Sequence, residues 1–134
     1  MAFELPGLPK LPGLKVTSTG DCSTSQYYFV KLVSSGEVDV AASSDIPIGV
    51  IQNDASGGVA AEVLPLGITK VVAGSTIKAG KEVGVDANGK AEEFSKAEGE
   101  YKVGLALTSA SAAGDIIPIT INCLLPEISE MSSI

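Results

Sequence analysis

The chain has 134 residues, enough for one domain with its own core, and 45% of them are hydrophobic although only 4% are aromatic. Its formal charge is −7, its nine positive residues are all scattered lysines, and it has no histidine. These numbers argue against a nucleic-acid partner, which needs clustered basic residues, and remove the commonest general base and metal ligand.

Fifteen glycines and seven prolines suit short strands and turns better than long helices. The expected fold class is therefore all-β: a small β-barrel or β-sandwich-like domain of short strands with an extended N-terminal arm. No apolar run reaches the ~20 residues of a membrane-crossing helix, so no membrane partner is expected. The start, Met1-Ala2-Phe3-Glu4-Leu5-Pro6, lacks the basic and apolar regions of a signal peptide, which points to synthesis and folding in a cytoplasm. The expected organisation is an arm over residues 1–14, one β domain over 15–123 and a tail over 124–134.

The arm repeats with a period of three. Leu5, Leu8, Leu11 and Leu14 share one phase, Pro6, Pro9 and Pro12 the next, and Gly7, Lys10 and Gly13 the third. A polyproline II helix has this period, so the arm would present a leucine edge and a proline edge over ~30 Å. Such a strip cannot bury its leucines against itself. It docks on this domain, on a second copy or on a partner, unless it is a plain flexible leader. The candidate binding residues are Leu5, Pro6, Leu8, Pro9, Leu11, Pro12 and Leu14.

Residues 15–25 read as a short strand followed by a polar loop. Tyr27 to Val33 is a strong strand covered on both faces, since only Lys31 in it is charged. Ser34-Ser35-Gly36 turns it, Glu37 to Val40 alternates as a half-exposed strand, and Pro47 opens the next unit. Asp45 and Asp54 are placed to cap turns through their own backbone.

Residues 48–64 and 103–121 are two versions of one strand-turn-strand unit. Ile48-Gly49-Val50-Ile51 matches Val103-Gly104-Leu105-Ala106, and each is followed by a small-residue turn and a second strand. Between them, Val83 and Val85 share a face, and Asn88-Gly89 is a preferred hairpin dipeptide. Residues 91–100 are polar and suit a loop or a short helical turn. In the last strand Ile117, Ile119, Ile121 and Cys123 face inward, and Pro118 marks an edge strand or a bulge. Cys22 and Cys123 are too far apart in sequence for a short metal-binding pair and are expected as buried free thiols. Leu124, Leu125 and Ile128 would anchor the tail.

A search for chemistry selects no centre. The spacing Gly84-Val85-Asp86-Ala87-Asn88-Gly89-Lys90 imitates a phosphate-binding loop, but Ala91 stands where a magnesium-binding hydroxyl belongs and Asp86 would put negative charge in the cradle. A calcium loop around Asp86 and Asn88 lacks its terminal glutamate. No cofactor and no catalytic or metal-binding residue is expected.

The order of three segments resembles the phage capsid cement, or head decoration, proteins. They are Ile48-Gly49-Val50-Ile51, the run from Ala73-Gly74 through Ala79-Gly80 to Val85-Asp86-Ala87-Asn88-Gly89-Lys90, and Val103-Gly104-Leu105-Ala106 ending at Ala113-Gly114-Asp115. The resemblance implies a small β-barrel-like fold, a homotrimer on the outer surface of an icosahedral head, and a major capsid protein as partner. It implies structural work in the virion without catalysis or cofactor. Two other readings stay open: a self-assembling tube, fibre or shell subunit, and a small ligand-binding barrel.

Overall fold

Alternating apolar and polar side chains in runs of three to seven residues can bury one face of a strand, and the chain uses this pattern throughout. The computed structural model describes residues 14–17, 26–54, 60–94, 101–123 and 127–128. All its regular elements there are strands. The first five are β1 (Leu14–Thr17), β2 (Phe29–Leu32), β3 (Val38–Val40), β4 (Pro47–Ile51) and β5 (Ala60–Leu64). They form one antiparallel sheet in the order β1-β5-β4-β2-β3.

The second sheet contains β6 (Leu66–Val72), β7 (Glu82–Val85), β8 (Ala91–Glu93), β10 (Gly104–Ala106) and β11 (Ile116–Asn122). Its order is β6-β11-β10-β7-β8, again antiparallel. Two short strands, β9 (Tyr101–Lys102) and β12 (Glu127–Ile128), pair with each other at the side.

The two orders are one topology used twice. Renumbering the second sheet from its own first strand reproduces the order of the first. The duplication therefore spans residues 14–64 and 69–120, more than the strand-turn-strand pairs visible in the sequence. The equivalence holds bond by bond. Tyr27 N donates to Ile51 O at 2.7 Å, and Gly80 N donates to Ala106 O at 2.8 Å. Ala41 N donates to Phe29 O at 3.0 Å, and Phe94 N donates to Glu82 O at 2.8 Å. Gln52 N donates to Glu62 O, and Leu107 N donates to Pro118 O. Gly36 and Gly89 hold the same turn position, with φ of 89° and 84°. Tyr27 is left-handed at φ 71° because it stands where the second unit has Gly80, at φ 85°.

The units stack front to back. The front of the first sheet, Val30, Val38, Ile51, Ala61 and Val63, makes a small core of its own. Its back, Phe29, Ala41 and Val50, enters the larger core, where it meets Val83, Ala91, Ala106, Ile117 and Ile119 from the front of the second sheet. Strand β2 is covered on both faces at Phe29 and Val30, as expected, because one residue points into each core. That cover stops at Leu32, which is 52% exposed.

Two expectations need correction. Residues 91–93 form β8, whose polar Glu92 and Glu93 hid a strand held by pairing with β7. Pro118 lies in an interior strand, because β11 is flanked by β6 and β10 with unbroken register to β6. It is tolerated because, just past the Ala106–Ile119 pair, Pro118 contributes its carbonyl, which accepts the Leu107 amide at 3.1 Å, and only the return bond from the N–H that proline lacks is lost. The turn after Asp54 lies outside the described residues; the Asp54 Oδ1 accepts the Gln26 amide at 3.0 Å. Asp45 does cap its turn, accepting the Ala42 amide at 2.8 Å.

The shared glycine of each unit is fixed by close approach. A Cβ on Gly49 would lie 2.5 Å from the Leu64 carbonyl oxygen, and one on Gly104 would collide with the matching Thr120 oxygen. Backbone stands on the other side, so neither site can yield easily. Gly49→Ala and Gly104→Ala are each expected to cost about 1–3 kcal/mol, read as a lower urea midpoint at unchanged slope.

Candidate interaction surface

The front of each sheet is a core, so the surface available for work is the back of the second sheet. Register places Ile68, Thr120, Leu105 and Glu82 in one row across β6, β11, β10 and β7. Lys70 and Pro118 form a neighbouring row, and Val72 and Ile116 the next. Four large apolar side chains here are open to solvent: Ile68 at 66%, Ile116 at 54%, Leu107 at 42% and Leu105 at 39%. An alternating strand normally spends its outward positions on polar residues. Four exposed aliphatics on one sheet face therefore mark a contact surface.

One end of this face is a shallow open groove lined by Glu82, Lys102, Leu105 and Thr120, among others. The Lys102 ammonium reaches the Glu82 carboxylate across it at 3.3 Å. Both partners are partly solvated, so the pair adds little stability and mainly fixes the groove's charge pattern.

Turns in both sheets are set by aspartates. In the loop from β10 to β11, the Asp115 carboxylate accepts the Ser111 amide at 2.8 Å, the Ser111 hydroxyl at 3.0 Å and the Ala112 amide at 3.2 Å. The Ser111 amide, followed by its hydroxyl, holds the Asp115 carboxyl below its ordinary 3.8. Asp45 is lowered likewise, first by the Ala42 amide and then by Lys31, which lies 3.1 Å away. The loop that imitates a phosphate cradle is a hairpin turn. Asp86 Oδ1 takes the Asn88 and Lys90 amides at 2.8 and 2.9 Å, and strand β8 follows where a phosphate loop would open a helix.

Leu5, Pro6, Leu8, Pro9, Leu11 and Pro12 lie outside the described residues. Leu14 opens β1 and pairs with Val63, so the backbone leaves the arm as the outer strand of the first sheet. Cys22 is also outside them. Cys123 is a buried free thiol, and burial pushes its pKa up to about 12. Of the tail anchors, Ile128 pairs through its backbone with Tyr101, while Leu124 and Leu125 are outside the described residues. Among the described residues no three His, Cys, Asp or Glu side chains are grouped to hold a metal ion. The sequence does not mark the exposed back face, because Ile68, Leu105 and Ile116 are ordinary strand formers whose outward direction only the register shows.

The profile of the phage cement proteins matches residues 15–122. The chain belongs to the phage cement protein family. The match takes in both units and begins just after the arm. Two solved structures share the fold. One is the head fiber gp8.5 N base of bacteriophage phi29, at 22% identity and a TM-score of 0.64, covering 90% of this chain and 98% of that one. The other comes from the capsid of Myoviridae phage XM1, at 20% identity and a TM-score of 0.56, covering 93% of this chain and all of that one. No curated protein matches the sequence.

The lowered Asp115 carboxyl gives the cement protein an acid-sensitive loop beside its exposed face. A depressed carboxyl supports the fold above its unfolded pKa, near 3.8, and loses that support as pH falls through the lower folded value. Ser111 and Ala112 amide resonances are expected to stay constant from pH 7 to about 4 and to shift together below it. Asp115→Asn should remove that step.

Proposed function

We propose that this cement protein binds the outer surface of an icosahedral phage head as a homotrimer and stabilises the shell by bridging major capsid subunits. The observation that carries the proposal is the family match across both β units, residues 15–122. The physical build supports it. Two stacked sheets with buried aliphatic cores make a stiff body. An apolar sheet face lies open to a protein partner. The chain's work is adhesion, with no reaction and no cofactor.

The strap in this reading is the arm. Leu5, Leu8, Leu11 and Leu14 form its apolar edge, with Pro6, Pro9 and Pro12 beside it. An extended segment of this kind seats in a groove or adds to an exposed strand, where main-chain hydrogen bonds give affinity and side-chain pockets give register. Three straps on one trimer act together. Each can be weak, because the later contacts form at high effective concentration.

Deletion of residues 2–13 spares β1 and tests the strap. The shortened protein is expected to keep its far-ultraviolet dichroism and melting temperature and to lose at least tenfold in occupancy on cement-free heads, scored by electron microscopy. Full occupancy would remove the arm from the capsid contact. A fall in particle mass by light scattering would place the arm between sister subunits instead.

A further inference from the structure

The six large aliphatic side chains left exposed among the described residues fall into two groups. Ile68, Leu105, Leu107 and Ile116 share the back of the second sheet. Leu32 and Ile46 belong to the first unit and lie close together, because Lys31 pairs with Pro47 in the adjacent rung. The first group stands on a flat face about 19 Å wide across β6, β11, β10 and β7 and about 24 Å long over the seven residues of β11.

This face begins where the arm enters the body. Leu14, the first residue of β1, pairs with Val63. Glu62 turns its carbonyl the other way, to Gln52 N at 2.7 Å, and the Pro65 carbonyl accepts the Cys123 amide at 2.8 Å. Alternate residues of one extended segment turn their hydrogen-bonding groups to the same side. Val63 and Pro65 therefore bring the start of β1 and the end of β11 together, end to end. The groove lined by Thr120, Ile121 and Asn122 leads from that meeting point onto the back of the second sheet. The front of that sheet is already filled by Phe29 and Val50.

We infer that the back of the second sheet is the body's footprint on the major capsid protein, so that the second unit lies against the shell and the first unit points outward. The inference rests on the proposed capsid role and adds the face and the orientation. A footprint here is continuous with the strap, since the arm is rooted at its edge. The partner surface it fits is flat and aliphatic, with a carboxylate opposite Lys70. Lys70 lies between the rows of Ile68 and Ile116, and its ammonium needs a counter-charge once water is excluded. A second copy fits less well. The other exposed large aliphatics among the described residues, Leu32 and Ile46, are too few to cover four. The same face on a sister copy would match, but that contact is two-fold and closes at two copies, so it does not build the proposed trimer.

Hydroxyl-radical footprinting reads the face with its own side chains. On the full chain bound to cement-free heads, oxidation of Ile68, Leu105, Leu107 and Ile116 is expected to fall roughly fivefold from that of the free protein, because the core of a protein interface is fully buried. Leu32 and Ile46 should stay as reactive as before. Leu105→Asp is expected to keep the dichroism and particle mass of wild type and to lose roughly tenfold in head affinity. Lys70→Glu should lose roughly tenfold as well, and Lys70→Arg should not. A face that stays reactive on fully decorated heads overturns the inference and leaves the capsid role and the strap standing. Equal protection before and after head binding, with a lower mass for Leu105→Asp, gives the face to a sister copy and overturns it too. Wild type that leaves heads bare overturns the capsid role and the footprint with it.

Discussion

The burial of one sheet's back against the other's front governs this molecule. Phe29 is the largest side chain at the joint and is wholly buried, surrounded by aliphatic residues from both units. Burying a phenylalanine contributes ~1.5–3 kcal/mol, a large share of the net stability of a domain this small. Tyr27 and Tyr101 pack against the same core but are only partly buried, so Phe29 is the one aromatic wholly enclosed there among the described residues. The joint also explains why the second unit has the bigger core. It receives a lid from the first unit, while the first unit closes on its own five short strands. Hydrogen bonds lock the contact from the side. Phe29 N reaches Gly89 O, and Val72 N reaches Tyr27 O at 3.1 Å, so sliding the units would break backbone pairing as well as packing.

Duplication followed by divergence accounts for what the sequence concealed. The glycine of Ile48-Gly49-Val50-Ile51 and Val103-Gly104-Leu105-Ala106 was legible because backbone approach forbids any other residue there. The turn and second strand that follow each were legible too, but the equivalences before Ile48 and Val103 were not. The spacing drifts from 53 residues at Gly36 and Gly89, to 55 at Gly49 and Gly104, to 56 at Leu64 and Thr120. Their side chains also follow burial and not ancestry. Phe29 matches Glu82 and Tyr27 matches Gly80, pairs that no alignment by residue type would join. The all-β class and the inward row of the last strand were readable from period-two alternation. The place of Pro118 was not, because it depended on where a neighbouring strand stopped.

The same limits applied to the working surface. The leucine-proline period drew attention to the arm, but a repeat in sequence does not say what it touches. The exposed face of the second sheet carried no motif at all. Its residues are ordinary strand formers, and only pairing geometry separates Ile68 and Leu105 from the buried Val71 and Val83 beside them. Adhesive surfaces on β proteins are written in register, which a single sequence carries only indirectly. The absence of histidine and of clustered lysine was more informative, because it removed whole classes of chemistry at once.

The placement of Cys123 has a further consequence for a protein of the virion. A particle released from its host meets oxygen and lacks the reductants that keep intracellular sulfur safe. Attack on a disulfide or an oxidant requires the ionised sulfur. With its proton held until about pH 12, Cys123 presents almost none of that form at neutral pH. It can thus serve as a small apolar filler through long exposure without joining neighbouring shells or being consumed.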